Sequence, residues 1–170
     1  AFFDGKKMSG KEALNKSGIE PVVLQEKEGL ALINGTHLMC AIAALAINDI
    51  TSICEHAVIG TAMSIDAAKA SDNFLDDRIH AIRGQSGQRT VAEKLRELLK
   101  NSEILKSHTK NDPRVQDPYS FRCAPQILGA AMEAIARVTG VVKAELSAVT
   151  DNPLVFPKDN DIVSGGNFHG

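Results

Sequence analysis

His37-Leu38-Met39-Cys40-Ala41-Ile42-Ala43-Ala44-Leu45-Ala46-Ile47 opens a run that continues to Ala70 with no proline in it. Prolines stand at positions 21, 113, 118, 125, 153 and 157, so none falls between Val22 and Asp112. That span also lacks alternating β-branched runs, and helix is the expected state. One long helix is predicted from about His37 to Ala70, with Leu38, Ala41, Ile42, Leu45, Ala46, Ile53, Ala57 and Ile65 among its apolar residues. Its first half is apolar nearly all round, as in the centre of a helical bundle. At 1.5 Å per residue it would be about 50 Å long. A compact domain of this size does not need such a length, which suggests a larger assembly whose other chains cover the helix.

Upstream, Asn34-Gly35-Thr36 interrupts the pattern, and Glu28 to Ile33 reads as a short apolar helical turn. Ser9-Gly10-Lys11-Glu12 is a capping box opening a short helix that Gly18 can stop. Downstream, Asn73 to Ile82 reads as a short helix and Gly84 to Gly87 as a turn. Gln88 to Lys100 is amphipathic, with Val91, Leu95, Leu98 and Leu99 on one side. Asn101 to Arg122 reads as loop, and Gln126 to about Ala148 as a second long helix. Gly140 inside that helix is either a mild cost or a close helix contact. Leu154-Val155-Phe156 and Asp161-Ile162-Val163 can pair as a hairpin. The fold class is therefore mainly α, a long-helix bundle with a small β-hairpin near residues 154–163, and residues 1–170 form a single domain.

The net charge of -2 gives no electrostatic reason to expect nucleic acid or an acidic membrane as partner. With 44% hydrophobic but only 4% aromatic residues, the core is aliphatic. The stretch from Gly29 to Asn48 is uncharged and about long enough to span a bilayer. Asn34-Gly35-Thr36-His37 would be costly in lipid, so it is read as buried protein helix. Cys40, Cys54 and Cys123 fit neither a disulfide framework nor a zinc site. They are read as buried thiols in a reducing cytoplasm, and no metal is expected.

The residues richest in chemistry are Val115-Gln116-Asp117-Pro118-Tyr119-Ser120-Phe121-Arg122. Pro113 and Pro118 bar a long helix here. An amide, a phenol and a guanidinium stand at i, i+3 and i+6, and all three need hydrogen-bond partners. Arg122 can hold a carboxylate bidentately; the plain alternative is a surface salt bridge. Gln116 can donate to a ligand or bond within its own loop. Tyr119, with a phenolic pKa of about 10, suits hydrogen bonding or positioning better than proton abstraction.

Four segments together resemble the aromatic amino acid ammonia-lyases. They are Glu28 to Thr36 (EGLALINGT), Gln116 to Gly129 (QDPYSFRCAPQILG), Thr150 to Leu154 (TDNPL) and Ser164 to Gly170 (SGGNFHG). Phenylalanine and tyrosine enzymes tend to read Asp-Arg-Tyr-Ala-Leu-Arg-Thr in the second segment and Asn-Phe-Gln in the last. Asp117-Pro118-Tyr119-Ser120-Phe121-Arg122-Cys123 and Asn167-Phe168-His169 instead resemble the branch acting on histidine.

The resemblance implies a long-helix bundle of the ammonia-lyase/fumarase-like type, with these residues forming the middle part of a longer chain. It implies that the whole enzyme is a cytoplasmic homotetramer converting L-histidine to trans-urocanate and ammonia. Tyr119, Asn34, Gln116 and Phe168 are then implied at the reacting centre. Arg122, Asn34, Asn152, Leu30 and Ile33 are implied in substrate binding. Asn34 and Asn152 also read as turn or cap residues, and Leu30, Ile33 and Phe168 as core.

The family electrophile, 4-methylideneimidazole-5-one (MIO), forms from an internal Ala-Ser-Gly. Every Ser-Gly pair here follows another residue: Met8, Lys16, Gln85 or Val163. The resemblance places that tripeptide outside these residues, so the 170 residues alone are expected to be inactive. Two other readings stand beside this one: a phenylalanine or tyrosine ammonia-lyase or aminomutase, and a non-catalytic helical oligomerisation module.

Overall fold

The computed structural model describes residues 1–110 and 112–166. They divide into two compact units: Ala1–Thr36 with the chain from Val149 onward, and His37–Ala148.

The first unit opens with a hairpin, β1 (Phe2–Phe3) and β2 (Lys6–Lys7), in which Phe2 faces Lys7 and Phe3 faces Lys6. The turn is Asp4-Gly5, both at positive φ, a pair that suits a two-residue hairpin. Helix α1 (Gly10–Lys16) begins as the capping box requires, with the Glu12 N–H donating to Ser9 Oγ at 3.2 Å. It ends at Gly18, whose φ of +69° turns the chain out of the helix. Helix α2 (Glu28–Ile33) stops at Asn34, which has left helical conformation at φ -118° and ψ 105°.

The second unit carries the core. Helix α3 (His37–Ala67) is the predicted long helix, roughly 45 Å at 1.5 Å per residue. A 3₁₀ turn (Asn73–Leu75) leads into α4 (Asp77–Arg83) and α5 (Ser86–Leu99). Two short helices follow, α6 (Glu103–Ser107) and α7 (Tyr119–Arg122), and then α8 (Ala124–Leu146), with Pro125 in its first turn. The core joins Val58, Ala62 and Ile65 of α3 to Val91, Ala92, Leu95 and Leu99 of α5, with Leu75 and Leu105. Leu128 and Met132 of α8 and Phe121 of α7 pack against it. Back in the first unit, β3 (Leu154–Phe156) pairs antiparallel with β4 (Asp161–Val163), the predicted hairpin.

Three expectations are corrected. The residues read as continuous loop from Asn101 to Arg122 contain two helical pieces. α6 forms because Ser102 Oγ caps the Leu105 N–H at 3.1 Å and Leu105 is buried in the core. α7 forms because Pro118 presets the chain and its carbonyl accepts from the Phe121 and Arg122 amides. The stretch from Gly29 to Asn48, read as buried, is mostly exposed in this chain; Leu38 and Leu45 are each 71% accessible. The buried residues of α3 fall mainly in its C-terminal half, where the core packs. By length and composition Glu28–Ala67 could also cross a membrane, but Asn34-Gly35-Thr36 divides it. Finally, Cys40 is buried while Cys54 and Cys123 are only half-buried. Gly140 has nothing within 4 Å of a would-be Cβ, so within this chain it is a mild helix cost.

Candidate active site

The helical turn α7 explains why Tyr119 and Arg122 belong together. Residues three apart on a helix share a face, and the Arg122 guanidinium lies over the Tyr119 ring, 5.1 Å from its centroid. Cation–π attraction favours that placement. Arg122 Nη1 also donates to Gln116 Oε1 at 2.6 Å. The three residues proposed from the loop thus form one constellation at the wall of an open cleft of about 510 Å³.

Arg122 pairs with no carboxylate among the described residues, so the surface salt bridge is not its role here. Gln116 does bond within its own loop, through its carbonyl oxygen, which leaves the donors of its amide nitrogen out of that bond. Tyr119 is 70% exposed, so its ring is a wall of the cleft and not core.

Ser71, Asn73, Phe74 and Ile79, distant in sequence, complete this cleft from the segment after α3, and Gln126 of α8 joins them four residues beyond Arg122. The sequence reading missed them all. No local pattern marks the first four, because they meet the loop only through the chain's folding back.

Two buried connections hold the cleft. Asp117 Oδ2 accepts from the Ser71 N–H at 2.8 Å and from Ser71 Oγ at 2.6 Å. Beneath Phe74, buried His80 bonds its Nε2 to the Phe74 carbonyl at 3.0 Å and its Nδ1 to Gln88 Nε2 at 2.9 Å. The carbonyl can only accept, so Nε2 carries the proton and Nδ1 accepts from the Gln88 amide.

Asn34, Leu30, Ile33 and Asn152 lie in the other unit. Asn34 donates its backbone N–H to the Leu30 carbonyl at 2.9 Å. Leu30 and Ile33 are 47% and 82% exposed, so neither packs as core in this chain. Asn152 precedes a cis peptide to Pro153, and its Oδ1 accepts from the Gly165 N–H at 3.0 Å and weakly from Ser164 Oγ at 3.4 Å. Beside it Asp151 pairs with Lys27, whose hydrogen bond is the main cause holding that carboxyl below its ordinary range. A pair 124 residues apart has no signature in the sequence. Phe168 lies outside the described residues. No group of three or more His, Cys, Asp or Glu side chains poised for a metal occurs among the described residues.

The long-helix scaffold is shared with ammonia-lyases and aminomutases among solved structures. The tyrosine aminomutase of Streptomyces globisporus superposes with a TM-score of 0.86 at 32% identity, over 99% of this chain and 35% of that one. The histidine ammonia-lyase of Trypanosoma cruzi gives 0.81 at 43% identity, over 94% of this chain and 29% of that one. The sequence model of the family described as aromatic amino acid lyase matches residues 1–170, and the chain belongs to that family. Among relatives, the histidine ammonia-lyases of Alkaliphilus oremlandii and Myxococcus xanthus are 45% and 46% identical over all 170 residues. The chain spans 33% of the length of each of these curated relatives.

Proposed function

We propose that the protein carrying these residues is a cytoplasmic histidine ammonia-lyase. It would eliminate ammonia from L-histidine to give trans-urocanate, with no metal, nucleic acid or membrane involved. The observation that carries this reading is the Gln116–Tyr119–Arg122 constellation in one cleft. The identities of 45–46% to histidine enzymes, against 32% to the tyrosine aminomutase, favour histidine over the sibling substrates.

In the reaction the β C–H bond breaks with its proton passing to a base outside these residues, its electron pair forms the Cα=Cβ bond, and the C–N bond breaks with the amine leaving as ammonia. Arg122 supplies a fork for the substrate's α-carboxylate, which replaces the Gln116 carbonyl as its acceptor. Such a charge-assisted bond contributes on the order of 1.5–3 kcal/mol. Gln116, released from Arg122, can donate its amide N–H groups to the bound substrate, and Tyr119 positions the ligand through its hydroxyl. Asn34, Asn152, Leu30, Ile33 and Phe168 are assigned to substrate and reacting centre by the resemblance alone.

MIO, the electrophile that the resemblance implies, would supply the activation needed for loss of the β proton. These residues do not fit its formation. Ser9 and Ser17 cap the two ends of α1, and Gly87 is packed against α8; no Ser-Gly pair follows alanine. The residues here therefore bind and orient. Exposed Leu38, Ile42 and Leu45 on α3 support self-association, and we assign the whole enzyme as a homotetramer.

The test is an absorbance assay of the whole protein on L-histidine, L-phenylalanine and L-tyrosine in parallel. Urocanate from histidine alone is expected. Cinnamate, coumarate or a β-amino acid as the main product would move the protein to a sibling activity.

A further inference from the structure

We propose that Asp117 is a positioning residue for the carboxylate grip, acting through Ser71 to set where Gln116, Tyr119 and Arg122 stand. This rests on the reading that Arg122 receives the substrate's carboxylate.

From Val115 to Ser120 every residue is exposed except Asp117, which is 6% accessible. A carboxylate sunk beneath an exposed loop is costly unless bonded. Here both Ser71 donors converge on Oδ2, at 2.8 and 2.6 Å, while Oδ1 lies 3.6 Å from Arg114 Nη1. Arg114 is itself tied to the end of α3, donating to the carbonyls of Ala68 and Lys69, and to Asp112. Asp117 thus fastens the loop to the segment that follows α3. Its sequence neighbours are the functional ones. Gln116 precedes it, and Pro118, which follows it, caps the turn that stacks Arg122 on Tyr119. Misplacing a binding group by about 1 Å can cost up to about a hundredfold in rate, so the anchor of this turn sets the quality of the grip.

The geometry also predicts which substitution is tolerated. Because one oxygen accepts both Ser71 bonds, an asparagine at 117 can keep them and lose only the longer Arg114 pairing. Alanine loses everything.

The test uses the whole assembled enzyme: kcat and KM for L-histidine, Ki for 3-(imidazol-4-yl)propanoate, and the melting temperature. Asp117→Ala should raise KM and Ki together by about tenfold, and Asp117→Asn should stay within about threefold of the parent. A merely structural role would lower the active fraction while KM and Ki stayed unchanged. That result, or an asparagine variant as impaired as alanine, overturns the proposal. If Asp117→Ala does not assemble, Ser71→Ala decides: KM and Ki should rise by about threefold, and unchanged values overturn it. Arg122→Ala separates the two readings. If it leaves Ki unchanged, the carboxylate reading itself has failed. If it raises Ki while the Asp117 and Ser71 variants do not, only the positioning role has failed.

Discussion

Gly87 of α5 and Gly129 of α8 meet backbone to backbone. A Cβ on Gly87 would lie 2.4 Å from the Gly129 carbonyl oxygen, and one on Gly129 would lie 2.3 Å from the Gln88 nitrogen. Both distances are far inside van der Waals contact, and the obstacle is backbone, which cannot rotate away. The crossing of the two core helices therefore depends on the absence of two side chains. Gly129→Ala should force α8 off α5 and destabilise the protein by about 1–3 kcal/mol. The check is the urea midpoint at unchanged slope; a midpoint equal to the parent's would show that the helices can part freely.

The same crossing predicts a pH dependence. The N-cap residue of α5, Gln85, makes no side-chain cap. Glu133, across on α8, supplies one: its Oε1 accepts from Ser86 Oγ at 2.7 Å and the Gly87 N–H at 2.6 Å. The Ser86 bond first, then the Gly87 bond, hold the carboxyl below its ordinary value of 4.5. A depressed carboxylate contributes stability above its unfolded value, and that contribution is lost as pH falls through the folded value. Glu133→Gln should therefore lower stability at neutral pH and flatten its decline below about pH 4.5. Parallel pH–stability curves for parent and variant would contradict this.

The His80 network offers a third test. Gln88→Leu removes the donor to His80 Nδ1 and leaves that nitrogen buried without its partner. The expected cost is about 1–3 kcal/mol. Thermal unfolding measures it, and an unchanged transition would mean that the ring has found another donor.

Arg122→Lys tests the fork as distinct from the charge. Lysine keeps the positive charge but loses paired, planar donation and the stacking on Tyr119. In the whole enzyme kcat/KM should fall on the order of tenfold or more. Near-parental turnover would show that Arg122 acts only as a point charge.

Much of this architecture was legible in the sequence. The long helix was visible because no proline interrupts it, and the breaks at Gly18 and Asn34 because glycine and asparagine leave helical geometry at little cost. The α7 turn was hidden by its own prolines: Pro118 blocks a long helix but starts a short one. The Asp4-Gly5 hairpin carried a readable signal that was overlooked. Within the site, the chemistry of Gln116, Tyr119 and Arg122 was evident from residue type and spacing. Ser71 and Phe74 were invisible because nothing local marks a residue whose function comes from a neighbour 40 or 50 positions away.

By itself, then, the sequence determined what depends on neighbours along the chain: helical periodicity, caps, turns, and a loop whose polar groups demand partners. Only the tertiary structure decided what depends on which surfaces meet. It showed that Gly87 and Gly129 must both lack side chains, that Asp117 is the buried anchor of an exposed loop, and that the first half of α3 lies uncovered by its own chain. Those facts follow from excluded volume and from hydrogen bonds made across long sequence distances, and neither is written in local pattern.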